Sequence, residues 1–308
     1  MSDPEFLDCL VIGGGPAGLT AALYLRRFHR HVLVCDAGHS RAAWIPRTHN
    51  YPGFPDGIVG TELLARLREQ VTQHGGEVRP VTVTGLQRLE GGGFEADLDG
   101  RPQRTRTVLL ATGVVDRAPP VPGSEALRQQ GLMRQCPICD GYEYTDRRVG
   151  VIGGGAHGAR EALFISNFTS DLTLVIHSDP DEVDEALHAE LAARGVRILP
   201  GPVLELCALP GSRVLMRRDG GSEESYDVVY SALGTRVRSN LALGLGAAAD
   251  DQGCLQVDDH LQTQIEGLYA AGDVVASLSQ LAVATGQAAI AATAIHNRLP
   301  RRRPGGGG

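Results

Sequence analysis

The chain is poor in aromatic residues, which make up 5% of 308 positions and include a single tryptophan. It also lacks any apolar stretch near the ~18 residues that a bilayer-spanning helix requires. Its opening, Met1 to Asp8, is acidic, and the short apolar run Cys9–Ile12 leads directly into glycines. That is not the pattern of a secretory signal. Positive charge is not in excess either: 29 basic residues stand against 36 acidic ones, for a net charge of -7 and a pI of about 5.8. Generic binding to nucleic acid or to an acidic membrane needs a basic face, so the balance argues against both. The cluster Arg301–Arg303 is too short to reverse this and, followed by Pro304 and four glycines, reads as a frayed tail. Six cysteines are too few for a secreted disulfide scaffold. The expected setting is a reducing cytoplasm, with one catalytic disulfide.

What the chain has in abundance is glycine, 40 residues of it, together with 42% hydrophobic residues, enough for about two domains of ~100–200 residues each. Two segments share one pattern. Cys9–Ile12 runs into Gly13, Gly14, Gly15, Pro16, Ala17 and Gly18 and then into a helix expected to end near Arg27; the strand His31–Cys35 follows, with Asp36 and Ala37 behind it. Arg148–Ile152 runs into Gly153, Gly154, Gly155, Ala156, His157 and Gly158, then a helix expected to reach about Phe168 and the strand Leu172–Ile176. A branched aliphatic run before a glycine turn signals a buried parallel strand. In a G-x-G-x-x-G loop the first glycine turns the chain, the second admits a pyrophosphate, and the third lets helix pack on strand. Asp36 stands about 20 residues on, where an acid can bind a ribose hydroxyl. The expected fold class is therefore α/β, with two Rossmann-like three-layer nucleotide-binding domains, the second inserted into the first. The expected boundaries are 1–118 with 241–308 for the first domain and 119–240 for the second. Asp116–Pro122 and Gly234–Asn240 would make the two crossovers, and Leu268–Asp273 a strand ending in a Gly-Asp turn. A long helix is expected over roughly Gln280–Arg298.

Between the two glycine signatures lies Cys136-Pro137-Ile138-Cys139-Asp140. Thiols at this spacing can close a small disulfide, and in such a setting one thiol pKa falls below the ~8.5 of free cysteine. Thiolates attack disulfides, whereas neutral thiols barely do. Asp140 could carry the proton that the exchange moves. The competing reading is half of a zinc site, which needs a second thiol pair or histidines at ligand spacing. Cys9, Cys35, Cys207 and Cys254 are isolated in sequence; Cys9 and Cys35 read as small hydrophobes in apolar strands.

With these residues in view, the chain resembles the low-molecular-weight thioredoxin reductases and their relatives among the pyridine nucleotide-disulfide oxidoreductases. The likeness runs from about Cys9 to Leu299. It includes the first glycine set, the Ala111-Thr112-Gly113 turn, the redox pair, Glu161–Asn167, His49–Phe54 and the late Gly272-Asp273. The resemblance implies FAD held by Gly13, Gly15, Pro16, Ala17, Gly18, Asp36 and Ala37, with Ala111, Thr112 and Gly113 along the same cofactor. Gly272 and Asp273 would serve its ribityl or pyrophosphate region, Gln280 would open a helix aimed at the flavin, and Asn50 would sit near the flavin ring. Gly153, Gly155, Gly158 and His177 would face NADPH or NADH. Cys139 would be the flavin-side sulfur, Cys136 the sulfur that attacks the substrate disulfide, and Asp140 the acid/base. Thioredoxin or a similar small redox protein would be the partner, and a homodimer the assembly.

The chain departs from that family in several places. The usual His-Arg-Arg pattern for a 2′-phosphate aligns with Ile176, His177 and Ser178, and a further arginine with Glu182. Asp179, Asp181 and Glu182 make the place acidic. This leaves three donors open: NADH, NADPH held through other residues such as Arg217 or Arg236, or electrons from elsewhere, as in ferredoxin-linked relatives or flavin dithiol oxidases. Gly38–Trp44 replaces a Gly-Gly-Gln stretch and is closer to the dithiol oxidases, yet those have His where Asp140 stands here. Ser279 replaces an Arg before Gln280, and Trp44 is expected to be a core aromatic rather than a lid.

Overall fold

The computed structural model describes residues 6–177 and 183–300. In chain order the first elements are β1 (Phe6–Ile12), α1 (Pro16–Arg27), β2 (Val32–Cys35), α2 (Gly60–Gln73), β3 (Glu77–Arg79), β4 (Val83–Arg88), β5 (Phe94–Leu98) and β6 (Arg101–Leu110). Then come β7 (Val114–Asp116), α3 (Ser124–Gln129), β8 (Met133–Arg134), α4 (Pro137–Asp140), β9 (Val149–Gly153), α5 (Gly155–Ile165), β10 (Leu172–Ile176), α6 (Glu185–Ala193) and β11 (Arg197–Pro200). The remainder is β12 (Val203–Leu209), β13 (Arg213–Arg218), β14 (Glu223–Tyr226), β15 (Val228–Ala232), β16 (Thr235–Val237), α7 (Asn240–Leu243), β17 (Leu268–Ala270) and α8 (Leu281–Arg298).

The chain divides into two compact units. One comprises Met1–Ala43, Ile58–Val115 and Arg236–Gly308; the other comprises Trp44–Gly57 and Asp116–Thr235. The chain thus leaves the first unit within β7 and returns to it within β16, and these two short strands form a two-stranded sheet. Residues 44–57 also belong to the second unit, so the chain enters that unit twice.

In the first unit a sheet runs β3-β2-β1-β6-β5-β4, and β17 also pairs with β6. Strands β3, β2, β1, β6 and β17 are parallel neighbours, while β4 and β5 continue antiparallel from the early half of β6. All four residues of β2 are buried, and so are six of seven in β1. Such continuous apolar runs are what strands covered on both faces require. Helices α1 and α8 pack together, and Ala17, Ala21, Ala288 and Ala292 belong to one core with the sheet. Small side chains let the elements approach closely, which is how a chain so poor in aromatics fills this interior.

In the second unit β11-β10-β9-β15-β8 form an all-parallel sheet. The strand period of two divides its side chains between two cores. Val149, Val151, Leu172, Leu174, Val228 and Tyr230 pack with Ala159, Ala162 and Ile165 of α5 and Leu191 of α6. Ile152, Val175 and Val229 pack with Val203, Leu206, Val214 and Met216 of the antiparallel meander β12-β13-β14. Helices, parallel sheet and meander make three layers, and each unit contains the strand–glycine loop–helix–strand unit expected from sequence. Helix α5 ends at Ile165 rather than near Phe168. The cause is local: Ser166 Oγ donates back to Leu163 O at 2.7 Å and Asn167 Nδ2 to Phe164 O at 2.8 Å, which stops the helix.

Among the described residues no helix is long and apolar enough to cross a membrane.

Candidate active site

In the first unit every expected cofactor residue that follows a strand lies at a carboxyl end of the parallel set. Gly13 follows β1, Asp36 and Ala37 follow β2, Ala111–Gly113 follow β6, and Gly272-Asp273 follow β17. Open parallel sheets bind ligands along that edge. Gly13 has φ +119°, and a Cβ there would stand 2.2 Å from Ala111 O; a Cβ on Gly18 would stand 1.9 Å from Gly13 O. Neither position admits another residue, so the loop stays tight and α1 begins at once, with Pro16 at its first turn and no side chain capping it. An uncapped helix start leaves N–H donors and a positive dipole end for an anion. Gly15 offers the approach: only Ser40 Oγ comes near its Cβ position, at 3.3 Å.

The polar residues of this unit are already tied together. Asp36 accepts from Gly38 N at 2.9 Å and from Arg68 of α2. Asp273 pairs with Arg41 at 3.0 Å, and Gly272 N donates to Gln287 Oε1 at 2.8 Å. Thr112 Oγ1 donates to Arg238 O at 2.7 Å, while Arg238 N donates to Gly113 O at 3.0 Å. Gln280 is the N-cap residue of α8 in extended conformation. Arg41, Arg68 and Arg238 were not singled out in the sequence; Arg41 sits in the Gly38–Trp44 stretch, whose departure from the family was the one available signal.

In the second unit the glycine loop follows β9, and His177 follows the adjacent β10. Gly153 and Gly158 touch closely: a Cβ on Gly158 would lie 3.2 Å from Gly153 Cα. His177 Nδ1 accepts a hydrogen bond from Val203 N at 3.2 Å, and burial lowers its pKa. Both favour the neutral ring. Arg217 is bound by Glu205 at 2.5 Å and Glu223 at 2.7 Å within the meander, and Arg236 belongs to the first unit. Ser178, Asp179, Asp181 and Glu182 lie outside the described residues.

The redox turn leaves the same carboxyl edge, from β8 at the end of the order β10-β9-β15-β8. Cys136 is the extended N-cap residue of α4, Pro137 occupies its first turn, and Cys139 N donates to Cys136 O at 3.0 Å. This single turn brings the two Cα atoms to 5.3 Å, and the sulfurs are joined as a disulfide. The closed pair fits the redox reading. Both cysteines are half-buried, whereas Ile138 between them and Tyr142 just after are 46% and 79% exposed.

Asp140 stands next to the disulfide with its carboxyl largely covered. Tyr230 of β15 donates to its Oδ1 at 2.6 Å, and Arg134 Nη1 lies 3.4 Å from its Oδ2. Burial pushes the carboxyl pKa up, against the opposing pull of Arg134 and of the tyrosine hydroxyl. Residues 44–57 reach the same turn: Asn50 Nδ2 donates to Ile138 O at 3.2 Å, and His49 Nδ1 pairs with Glu143 at 2.8 Å. Trp44 is no core aromatic. It is 39% exposed and lies under the Arg128 guanidinium, 3.9 Å from its ring centre. An indole with a cation on its face gains stabilisation without burial. Arg134 and Tyr230 were missed in the sequence, although a hydroxyl within Val228–Ala232 was a signal, since a buried tyrosine seeks a partner.

Burial pushes the thiols of Cys9 and Cys35 up to about 12, and those of Cys207 and Cys254 are also raised.

Residues 7–289 match the family described as pyridine nucleotide-disulphide oxidoreductase. A thioredoxin reductase from Mycolicibacterium smegmatis is 34% identical over 278 residues, 87% of this chain and 88% of that protein. A bifunctional thioredoxin reductase/thioredoxin from Mycobacterium leprae is 30% identical over 87% of this chain and 60% of its own length. The crystal structure of thioredoxin reductase from Streptococcus pyogenes MGAS5005 aligns with a TM-score of 0.88 at 28% identity, covering 96% of this chain and 98% of that one. The chain belongs to the pyridine nucleotide-disulphide oxidoreductases, and within them it is an oxidoreductase of the thioredoxin reductase type.

Proposed function

We propose that the protein is an FAD-dependent disulfide reductase that passes electrons from a reduced nicotinamide, through flavin and the Cys136–Cys139 pair, to thioredoxin or a similar small redox protein. The observation that carries this reading is the closed Cys136–Cys139 disulfide with the covered carboxyl of Asp140 beside it. The first unit fits FAD: its glycine loop is tight, the start of α1 is uncapped, and Asp36 and Asp273 stand at neighbouring strand ends. FAD, when bound, supplies a two-electron store between nicotinamide and disulfide.

The chain's own part is the exchange chemistry. In the reduced dithiol Cys136 gives its proton to Asp140 and attacks the substrate disulfide. Cys139 then attacks the Cys136 sulfur, the Cys136–Cys139 bond re-forms, and the substrate leaves as a dithiol. The exposed Ile138 and Tyr142 give a protein disulfide an apolar surface beside the sulfurs. The fused M. leprae relative supports a thioredoxin partner. A homodimer is part of the same reading and is checked by sedimentation.

For the nucleotide we propose NADH over NADPH. A neutral His177 and an Arg217 already neutralised by two carboxylates leave weak attraction for a 2′-phosphate dianion. The test is thioredoxin reduction by the purified flavoprotein with each nucleotide, alongside C136S. Turnover faster with NADH, and abolished in C136S with FAD still bound, is expected. Equal turnover in C136S would sink the reading. Failure with both nucleotides but peroxide formation with small dithiols would replace it by the dithiol oxidase alternative.

A further inference from the structure

The surroundings of Asp140 go beyond the pairing of an acid with a disulfide. Its two carboxyl oxygens are held by different residues, Oδ1 by the Tyr230 hydroxyl at 2.6 Å and Oδ2 by Arg134 Nη1 at 3.4 Å. Arg134 and Tyr230 are direct register partners in the parallel ladder of β8 and β15, so the sheet itself sets their spacing. Arg134 is also fixed from its other side. Its Nε and Nη2 both donate to Tyr144 Oη, at 3.2 and 3.0 Å. The Tyr144 ring in turn stands edge-on to Tyr230, with centroids 6.3 Å apart and planes at 89°. Asp140, Tyr230, Tyr144 and Arg134 therefore close a ring of contacts around one carboxyl group. Glu143, the remaining charged group near it, is paired with His49.

Tilting the carboxyl plane away from this setting would lose both oxygen contacts at once, and in a covered site each lost partner is costly. A single orientation matters for proton transfer, which needs the acceptor within hydrogen-bond reach of the group it serves.

We propose that Arg134 and Tyr230 are positioning residues that hold Asp140 ionised and aimed for proton exchange with the Cys136–Cys139 pair. The inference rests on the reading of Asp140 as the acid/base. In the forward direction the Cys136 thiol loses its proton to Asp140, and the thiolate forms a bond to one substrate sulfur while the substrate S–S bond breaks. Asp140 returns the proton to the departing sulfur. Cys139 next bonds to Cys136, giving up its own proton as the second substrate sulfur leaves as a thiol. Two electrons and two protons pass from dithiol to substrate, and the Asp140 carboxylate is regenerated.

The test uses the holoprotein, reduced with dithiothreitol and desalted without oxygen, then mixed with 5,5′-dithiobis(2-nitrobenzoate) from about pH 5 to 9. The readout is the rate of the first release of aromatic thiolate. Both partners favour the charged carboxylate, so losing either leaves burial opposed by only the other. Y230F, which keeps the ring, and R134Q are expected to move the acid limb of the rate profile upward by about one pH unit. R134K, which keeps the charge, should keep most of the wild-type profile, and D140N should remove the part of the limb that Asp140 contributes, leaving only the ionisation of the thiol itself. A wild-type profile without an acid limb, or a D140N profile identical to the wild-type one, would mean that the acid/base reading has failed. A limb changed in D140N but unmoved in both Y230F and R134Q would overturn this inference alone. So would variants that merely melt earlier with an unshifted limb.

Discussion

Gly141 lies beneath the ring of Phe168: a Cβ on residue 141 would stand 2.7 Å from Phe168 Cε2. The residue after Asp140 has an ordinary helical φ of −59°, so only the space taken by the Phe168 ring favours glycine there. The contact links the end of the redox turn to the segment behind α5. G141A should therefore strain the turn from below, where overpacking costs about 1–3 kcal/mol. The expected result is a lower melting temperature together with slower opening of Cys136–Cys139 by dithiothreitol. Adding F168A to G141A should recover part of the rate.

The raised Asp140 pKa makes a signed statement about stability. A carboxyl whose folded pKa exceeds its unfolded one binds protons more readily in the fold. Its contribution is greatest below the unfolded value, ~3.9 for an ordinary aspartate, and is lost as pH rises through the folded value. The cause here is burial of the charge. D140N has no such charge to bury. The melting temperature of D140N minus that of the wild type should become more positive from about pH 4 to pH 7, whatever its sign at the start. A difference that is flat or falling across that window would contradict the assignment.

Tyr142 is the most exposed large side chain of the redox turn. If it receives a protein substrate, Y142A should raise KM for thioredoxin several-fold and leave kcat nearly unchanged, since it removes binding common to ground and transition states. Reduction of a small aromatic disulfide should be unaffected. Steady-state kinetics with both substrates separates a docking role from a chemical one.

Arg30 supplies a control far from the chemistry in sequence. It is 2% exposed and donates to His296 Nδ1 and to the carbonyls of His296, Leu299 and Pro300 at 2.8–3.2 Å. It thereby caps the end of α8, whose last carbonyls have no partners within the helix. Bonds from a charged donor are worth about 1.5–3 kcal/mol each, and truncation leaves buried acceptors unmet. R30A should lose on the order of 3 kcal/mol in urea unfolding, while the folded fraction keeps its ability to open and close Cys136–Cys139.

Much of this was legible in the chain because it is local. A branched aliphatic run before three glycines carries its own strand, turn and helix, and β1–α1–β2 and β9–α5–β10 appear where that pattern put them, apart from the earlier end of α5. The redox turn was equally plain, since two thiols three positions apart need one helical turn to meet. What stayed hidden depends on register and on long-range packing. Arg134 and Tyr230 are 96 residues apart and meet only because β8 and β15 pair in parallel. Trp44 looked like core because it is large and apolar, yet the cation of Arg128, far along the chain, stabilises it at the surface. The grouping of residues 44–57 with the second unit has the same origin, in bonds from His49 and Asn50 to the redox turn.

The central claim is that electrons from a nicotinamide reach the Cys136–Cys139 bond. It is tested most directly by adding excess NADH to the flavoprotein without oxygen, quenching with an alkylating agent and locating the label by mass spectrometry. The account predicts that NADH is oxidised and that Cys136 and Cys139 both become alkylated, with Cys9 and Cys35 protected by burial. NADH consumed while the disulfide stays closed would contradict it.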